Sequence, residues 1–170
     1  MLSMLISAAK ESLKKDGFLN PAFFLFQNNE QIYGSLMSLF DDMLGHLPNM
    51  DEAKTRDVIL IGVLAKELKA NRVVLIWDAA FRMVSKKDIP EYSELEAPLT
   101  YPKSMRTECL IIEDISIPSG KDTVELIPYK GGDGLPVEFL PDILLNKTDK
   151  YESRFPELVL KGYNAIKRKD

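Results

Sequence analysis

The stretch VILIGVLA, residues 58–65, decides how the chain folds. An unbroken apolar run of this length suits a buried strand as well as a buried helix, and its own periodicity does not separate the two. The flanking residues do separate them, because they keep helical rather than alternating order. Asn49 followed by Asp51 and Glu52 has the form of a capping box, with two acids at the positive end of a helix dipole. A helix from about Met50 to Ala70 is therefore expected, buried between a sheet and another element.

Strands are expected on both sides of it. RVVLIWDAAFRMV, residues 72–84, places Val73, Leu75, Trp77, Ala79, Phe81 and Met83 on one apolar face, while Asp78 and Arg82 interrupt the other. Upstream, AFFLFQ (22–27) and QIYGSLMSLF (31–40) flank the Asn28–Asn29 punctuation of a hairpin. Gly34 marks a bulge or a close backbone approach. From Asp41 the chain turns polar, and GHLPN (45–49) reads as a loop. Downstream, ECLIIEDISI (108–117), TVELIPYK (123–130) and LPVEFLP (135–141) read as successive antiparallel strands. KGGDG (130–134) lacks the lysine and hydroxyl that close a P-loop, so it is a hairpin turn, with an anion-binding nest as the lesser alternative.

Helices are expected at both ends. Leu2, Leu5, Ile6, Ala9 and Leu13 line one face of the first, which ends at Gly17 with Phe18 folding back on Leu13. Leu158, Val159, Tyr163 and Ile166 form the stripe of a last helix at about 154–168. The expected architecture is a single α+β domain over residues 1–170. Its sheet is mainly antiparallel, of about six strands, covered by a buried central helix and the terminal helices. Residues 85–104, with Pro90, Pro98 and Pro102 in or beside them, are too long a connection to be idle and read as a flap or a partner-binding arm. Residues 146–153 read as a linker.

Composition narrows the function classes. The 170 residues are 45% hydrophobic and 28% charged with a net charge of −4, as in an ordinary folded domain. An acidic balance disfavours nucleic acid, and Lys167, Arg168 and Lys169 read as a solvated terminus. Cys109 is the only cysteine, so no internal disulfide forms and a reducing cytoplasm is the natural setting. The opening MLSMLISAAKES has no positive charge before its apolar part and reads as a helix rather than a signal peptide. The longest apolar run falls far short of the ~20 residues of a membrane span. One histidine and one cysteine cannot make a four-ligand zinc site, and the carboxylates lack calcium-loop spacing, so neither metal nor other cofactor is expected.

The candidate site follows from strand parity. In the segment YPKSMRTECLII (101–112), Arg106, Glu108, Leu110 and Ile112 share one face, and Thr107, Cys109, Ile111 and Ile115 the other. Cys109 thus points away from Glu108 and reads as a small apolar filler. If this strand pairs with 72–84, Asp78, Arg82, Arg106 and Glu108 form a polar island on the sheet, either as cross-strand ion pairs or as a pocket for an acidic ligand. His46, beside Asp41 and Asp42, reads as a surface loop residue.

The helix, the aromatic strand IWDAAF and the spacing Pro102, Ser104, Arg106, Glu108, Leu110 resemble a group of uncharacterised bacterial and phage proteins. The resemblance covers about the middle half of the chain and implies a microbial or phage intracellular origin and nothing about activity. The expected function is a non-enzymatic intracellular binding or assembly module acting through a protein partner or self-association. The alternative is a small hydrolase using His46 or carboxylates, with Arg82 and Arg106 holding an anionic substrate.

Overall fold

Asn49 settles the central stretch. Its Oδ1 accepts a hydrogen bond from the Asp51 amide at 2.9 Å, satisfying one of the orphan donors of a helix N-terminus. A helix then runs over Met50–Glu67. The structure, a computed structural model, describes residues 1–81, 107–132, 135–141, 143–144 and 153–166. In chain order its elements are α1 (Leu2–Asp16), β1 (Ala22–Gln27), β2 (Glu30–Leu36), α2 (Leu39–Leu44), α3 (Met50–Glu67), β3 (Arg72–Phe81), β4 (Thr107–Ser116), β5 (Asp122–Gly132), β6 (Leu135–Phe139), β7 (Ile143–Leu144) and α4 (Phe155–Ala165).

The strands join in the order β2-β1-β3-β4-β5-β6, with β7 paired to β5. This is the expected α+β class with an antiparallel sheet. No helix among the described residues is long and apolar enough to cross a membrane. By their contacts the described residues fall into two compact units, one within Met1–Leu19, Asp78–Ile111 and Leu126–Ile143, the other within Asn20–Trp77, Ile112–Glu125 and Leu144–Asp170.

In the second unit, Val58, Ile61 and Ala65 of α3 pack on Phe23 and Leu25 of β1, Val73 and Leu75 of β3 and Ile115 of β4. Removing a buried side chain of this size from water contributes about 1.5–3 kcal/mol, so this layer carries much of the unit's stability. Val159 of α4 joins the same core. The two helices meet backbone to backbone: a Cβ on Gly62 would overlap the Val159 carbonyl, and one on Gly162 the Ile59 carbonyl. Both faces of β3 are buried at Val73, Val74, Leu75 and Ile76, so the strand is interior over this span, as its near-continuous run of apolar residues requires.

The β1–β2 hairpin turns on Asn28 and Asn29, with φ of 51° and 69°, the left-handed pair that a tight two-residue turn requires. Gly34 marks the close approach rather than the bulge. It faces Phe24, and a Cβ there would stand 2.7 Å from the ring. The bulge lies at Ile32, where the register passes from Leu25↔Tyr33 to Phe26↔Gln31.

The second strand of the hairpin stops at Leu36 instead of running on to Phe40. Leu39–Leu44 is a short helix, where the end of the strand and then a polar stretch from Asp41 were expected. Asp41 and Asp42 fall in its first turn, where negative charge is favoured, and Met37 and Phe40 turn into the core. The expected loop at 45–49 follows it.

In the first unit, Gly17 closes α1 with φ 76° as its amide meets the Leu13 carbonyl at 2.9 Å. Only glycine takes that conformation without cost. Phe18 does not fold back on Leu13, however, and stays 56% exposed. Leu13 packs instead with Tyr129 and Val137, flanked by Leu19 and Phe139, so β5 and β6 supply the cover expected of Phe18. The 85–104 segment and most of the linker lie outside the described residues.

Candidate functional site

Three groups of side chains compete for the role of a site. The first is the polar island. β3 and β4 are neighbours in the sheet, as the island requires, and Asp78 and Glu108 belong to the first unit. Arg82 and Arg106 lie outside the described residues. What sequence reasoning did not include is Tyr129 of β5, whose hydroxyl donates to Asp78 Oδ1 at 2.6 Å. Burial first, then the Asp78 and Glu108 carboxylates, push the Tyr129 phenol well above its ordinary range, so it stays a donor.

Cys109 lies beside this group, fully buried, with its thiol 3.4 Å from the Leu110 carbonyl oxygen. Burial, with a smaller push from Asp78, raises the thiol to about 12. A thiol so held is neither nucleophile nor metal ligand near neutrality. Native protein is accordingly expected to leave Cys109 unmodified by a thiol-reactive dye over hours, with one equivalent reacting promptly once denaturant is added.

The second group surrounds Arg56 of α3. Its guanidinium donates to Asp57 Oδ1 at 2.9 and 3.0 Å, to the Gly45 carbonyl at 2.7 Å and to Asp41 Oδ1. His46 Nδ1 stands 3.7 Å from the other Asp41 oxygen, with 75% of the side chain exposed. Its carboxylate neighbour is thus already engaged by an arginine. A groove of about 590 Å³ opens nearby along α3, lined by Thr55, Ile59, Leu60 and the charged Asp51, Glu52 and Arg154. Among the described residues no group of three or more His, Cys, Asp and Glu side chains is placed to hold a metal ion.

The third group consists of two acids on β4, Asp114 and Glu113, on opposite faces of the strand. Asp114 accepts two parallel hydrogen bonds from Arg72, at 2.7 and 2.5 Å, and Arg72 also lies 5.0 Å from the centre of the Phe26 ring. Glu113 is fully buried on the face that holds Ile115. Its Oε2 accepts from Ser153 Oγ at 2.9 Å, whereas Oε1 has no hydrogen-bond partner among the described residues. Desolvation, reinforced by the nearby Asp122 carboxylate, lifts Glu113 to about 7.

The remaining feature is a strand edge. Among the described residues β2 pairs with β1 on one side only and ends the strand order. Ile32 and Leu36 are 39% and 45% exposed there. From Glu30 to Leu36 the strand holds no Lys, Arg or Pro, so what protects the edge is confined to Glu30 and the bulge at Ile32, ahead of Tyr33–Leu36. No family model, curated protein or solved structure matches the chain.

Proposed function

We propose that the protein is a non-enzymatic intracellular binding module, and that β2 is its docking element, adding an extended segment of a partner to the sheet. The observation that carries this reading is an edge that no other described strand covers, regular from Tyr33 to Leu36, with two exposed apolar side chains on the strand. An edge strand offers a row of N–H and C=O groups that any extended chain satisfies, and flanking side chains supply selectivity. The pairing of several described acids, Glu113 apart, supports it as well. Asp78 is bonded to Tyr129, Asp114 to Arg72, and Asp41 and Asp57 to Arg56. The hydrolase alternative has less behind it, since His46 is largely exposed and its nearest acid already serves Arg56. A lone buried thiol goes with a cytoplasmic setting, and the Pro102–Leu110 spacing with a microbial or phage origin.

Selection of peptides from a displayed library on the pure protein tests the reading. Selected peptides are expected to be extended and apolar at alternate positions, and to shift the backbone amides of β2 in two-dimensional NMR spectra. Peptides that instead shift amides lining the α3 groove would overturn it.

A further inference from the structure

Building on the β2 docking reading, we infer that one partner of the edge is a second copy of the same chain, paired antiparallel about a twofold axis through Ser35. Alternation fixes which backbone groups face away from β1, where no described strand meets them. The Met37 amide donates to the Pro21 carbonyl at 2.8 Å, and Ala22 stands opposite Leu36, so odd-numbered Tyr33 and Ser35 direct their N–H and C=O toward β1. Gly34 and Leu36 direct theirs outward.

The usable ladder is bounded on both sides. The bulge at Ile32 breaks its regularity before Tyr33, and the strand ends at Leu36. Only a twofold through Ser35 sets Gly34 opposite Leu36 of the other copy and Leu36 opposite Gly34. Each of those pairs exchanges two hydrogen bonds.

The side chains fit the same register. Gly34 and Leu36 lie on one face, together with Phe24, whose ring covers Gly34. Leu36 of each copy therefore meets the other's bare glycine and packs beside the ring over it, covering the 45% of Leu36 that is exposed in the single chain. The side-chain arrangement needed opposite this edge is a leucine two residues beyond a glycine, running antiparallel, and β2 supplies that to itself. Its single charged residue, Glu30, lies outside the paired segment, so no like charges meet.

Light scattering across a concentration series reads the association, and cysteine cross-linking reads the register. The wild-type mass is expected to rise with concentration toward twice the 19.3 kDa of one chain. Leu36→Lys is expected to lose that rise while keeping its circular dichroism and melting temperature. Ser35 and its symmetry mate would form a non-hydrogen-bonded pair with Cα atoms about 4.5 Å apart, within reach of a disulfide. Oxidised Ser35→Cys should therefore become a covalent dimer, whereas Glu30→Cys should not.

A wild type that keeps the mass of one chain at every concentration overturns the self-pairing. So does a Leu36→Lys variant that still doubles, or a Glu30→Cys that cross-links as well as Ser35→Cys. The docking reading stands apart from these outcomes: selected peptides that shift β2 amides of a monomeric wild type would sustain it while ending the self-pairing.

Discussion

Gly162→Ala and Gly62→Ala are each expected to destabilise the protein, although alanine is the better helix former. In an exposed helix interior the exchange would gain about 1 kcal/mol. Here the added methyl has no space, because it falls on a carbonyl oxygen of the facing helix: Ile59 for Gly162, Val159 for Gly62. Backbone atoms do not swing aside as a side-chain end does, so α3 and α4 must separate along their contact. Val159 and the Trp77–Phe155 ring contact, with centroids 4.9 Å apart, would be disturbed with them. Overpacking of this kind costs ~3 kcal/mol, leaving a net loss of about 2 kcal/mol after the propensity gain. A melting temperature lowered by roughly 4–8 °C is the expected reading by calorimetry. An unchanged or raised melting temperature would mean that the helices do not approach this closely.

Glu113→Gln should act in the opposite sense, and only above a certain pH. A glutamate in the unfolded chain titrates near 4.5, whereas burial lifts Glu113 in the fold to about 7. Between those values the folded state holds a proton that the unfolded state has released, so stability falls as pH rises. Below about 4.5 this group costs nothing, and above about 7 the penalty levels off at ~3 kcal/mol. Glutamine occupies the same volume without a charge, and its amide can still meet Ser153. Urea titrations should find the variant close to wild type at pH 5 and more stable at pH 8 by up to ~3 kcal/mol. A constant difference across that range would show that burial does not raise Glu113 above its unfolded value.

Much of this fold was legible in the residues, and the exceptions have physical causes. Asn49 with Asp51 and Glu52, Gly17 after a basic turn, and the Asn28–Asn29 pair each fix a local conformation through their own chemistry, so α3, the end of α1 and the hairpin follow from a few positions. Leu39–Leu44 was missed because six residues carry little periodicity and what holds them is distant: Arg56 reaches Asp41 and the Gly45 carbonyl. Phe18 was misplaced because chain proximity favours a contact with Leu13 that β5 and β6 make better.

At the site level, parity carried the argument for Cys109 and stopped short at Glu113. The alternation that places Cys109, Ile111 and Ile115 on one face also runs through residue 113, but a carboxyl among apolar neighbours is not what parity leads one to expect there, and Glu113 was not singled out. Tyr129 was out of reach, since only the pairing of β4 with β5 brings it to Asp78. Gly62 gave a clue in the opening octapeptide: a glycine inside a buried helix is unfavourable unless another backbone needs its space.

The three-way hold of Arg56 also bears on which substitutions the α2–α3 corner will accept. A guanidinium spreads its donors across a rigid plane and so serves Asp41, Gly45 and Asp57 at once, whereas the ammonium of a lysine radiates from a single nitrogen and cannot span them. Because the bend is anchored by this one side chain through a backbone carbonyl, the identities of His46, Leu47 and Pro48 are left open to drift. Position 56 should be fixed among descendants of this sequence while its neighbours across the bend vary.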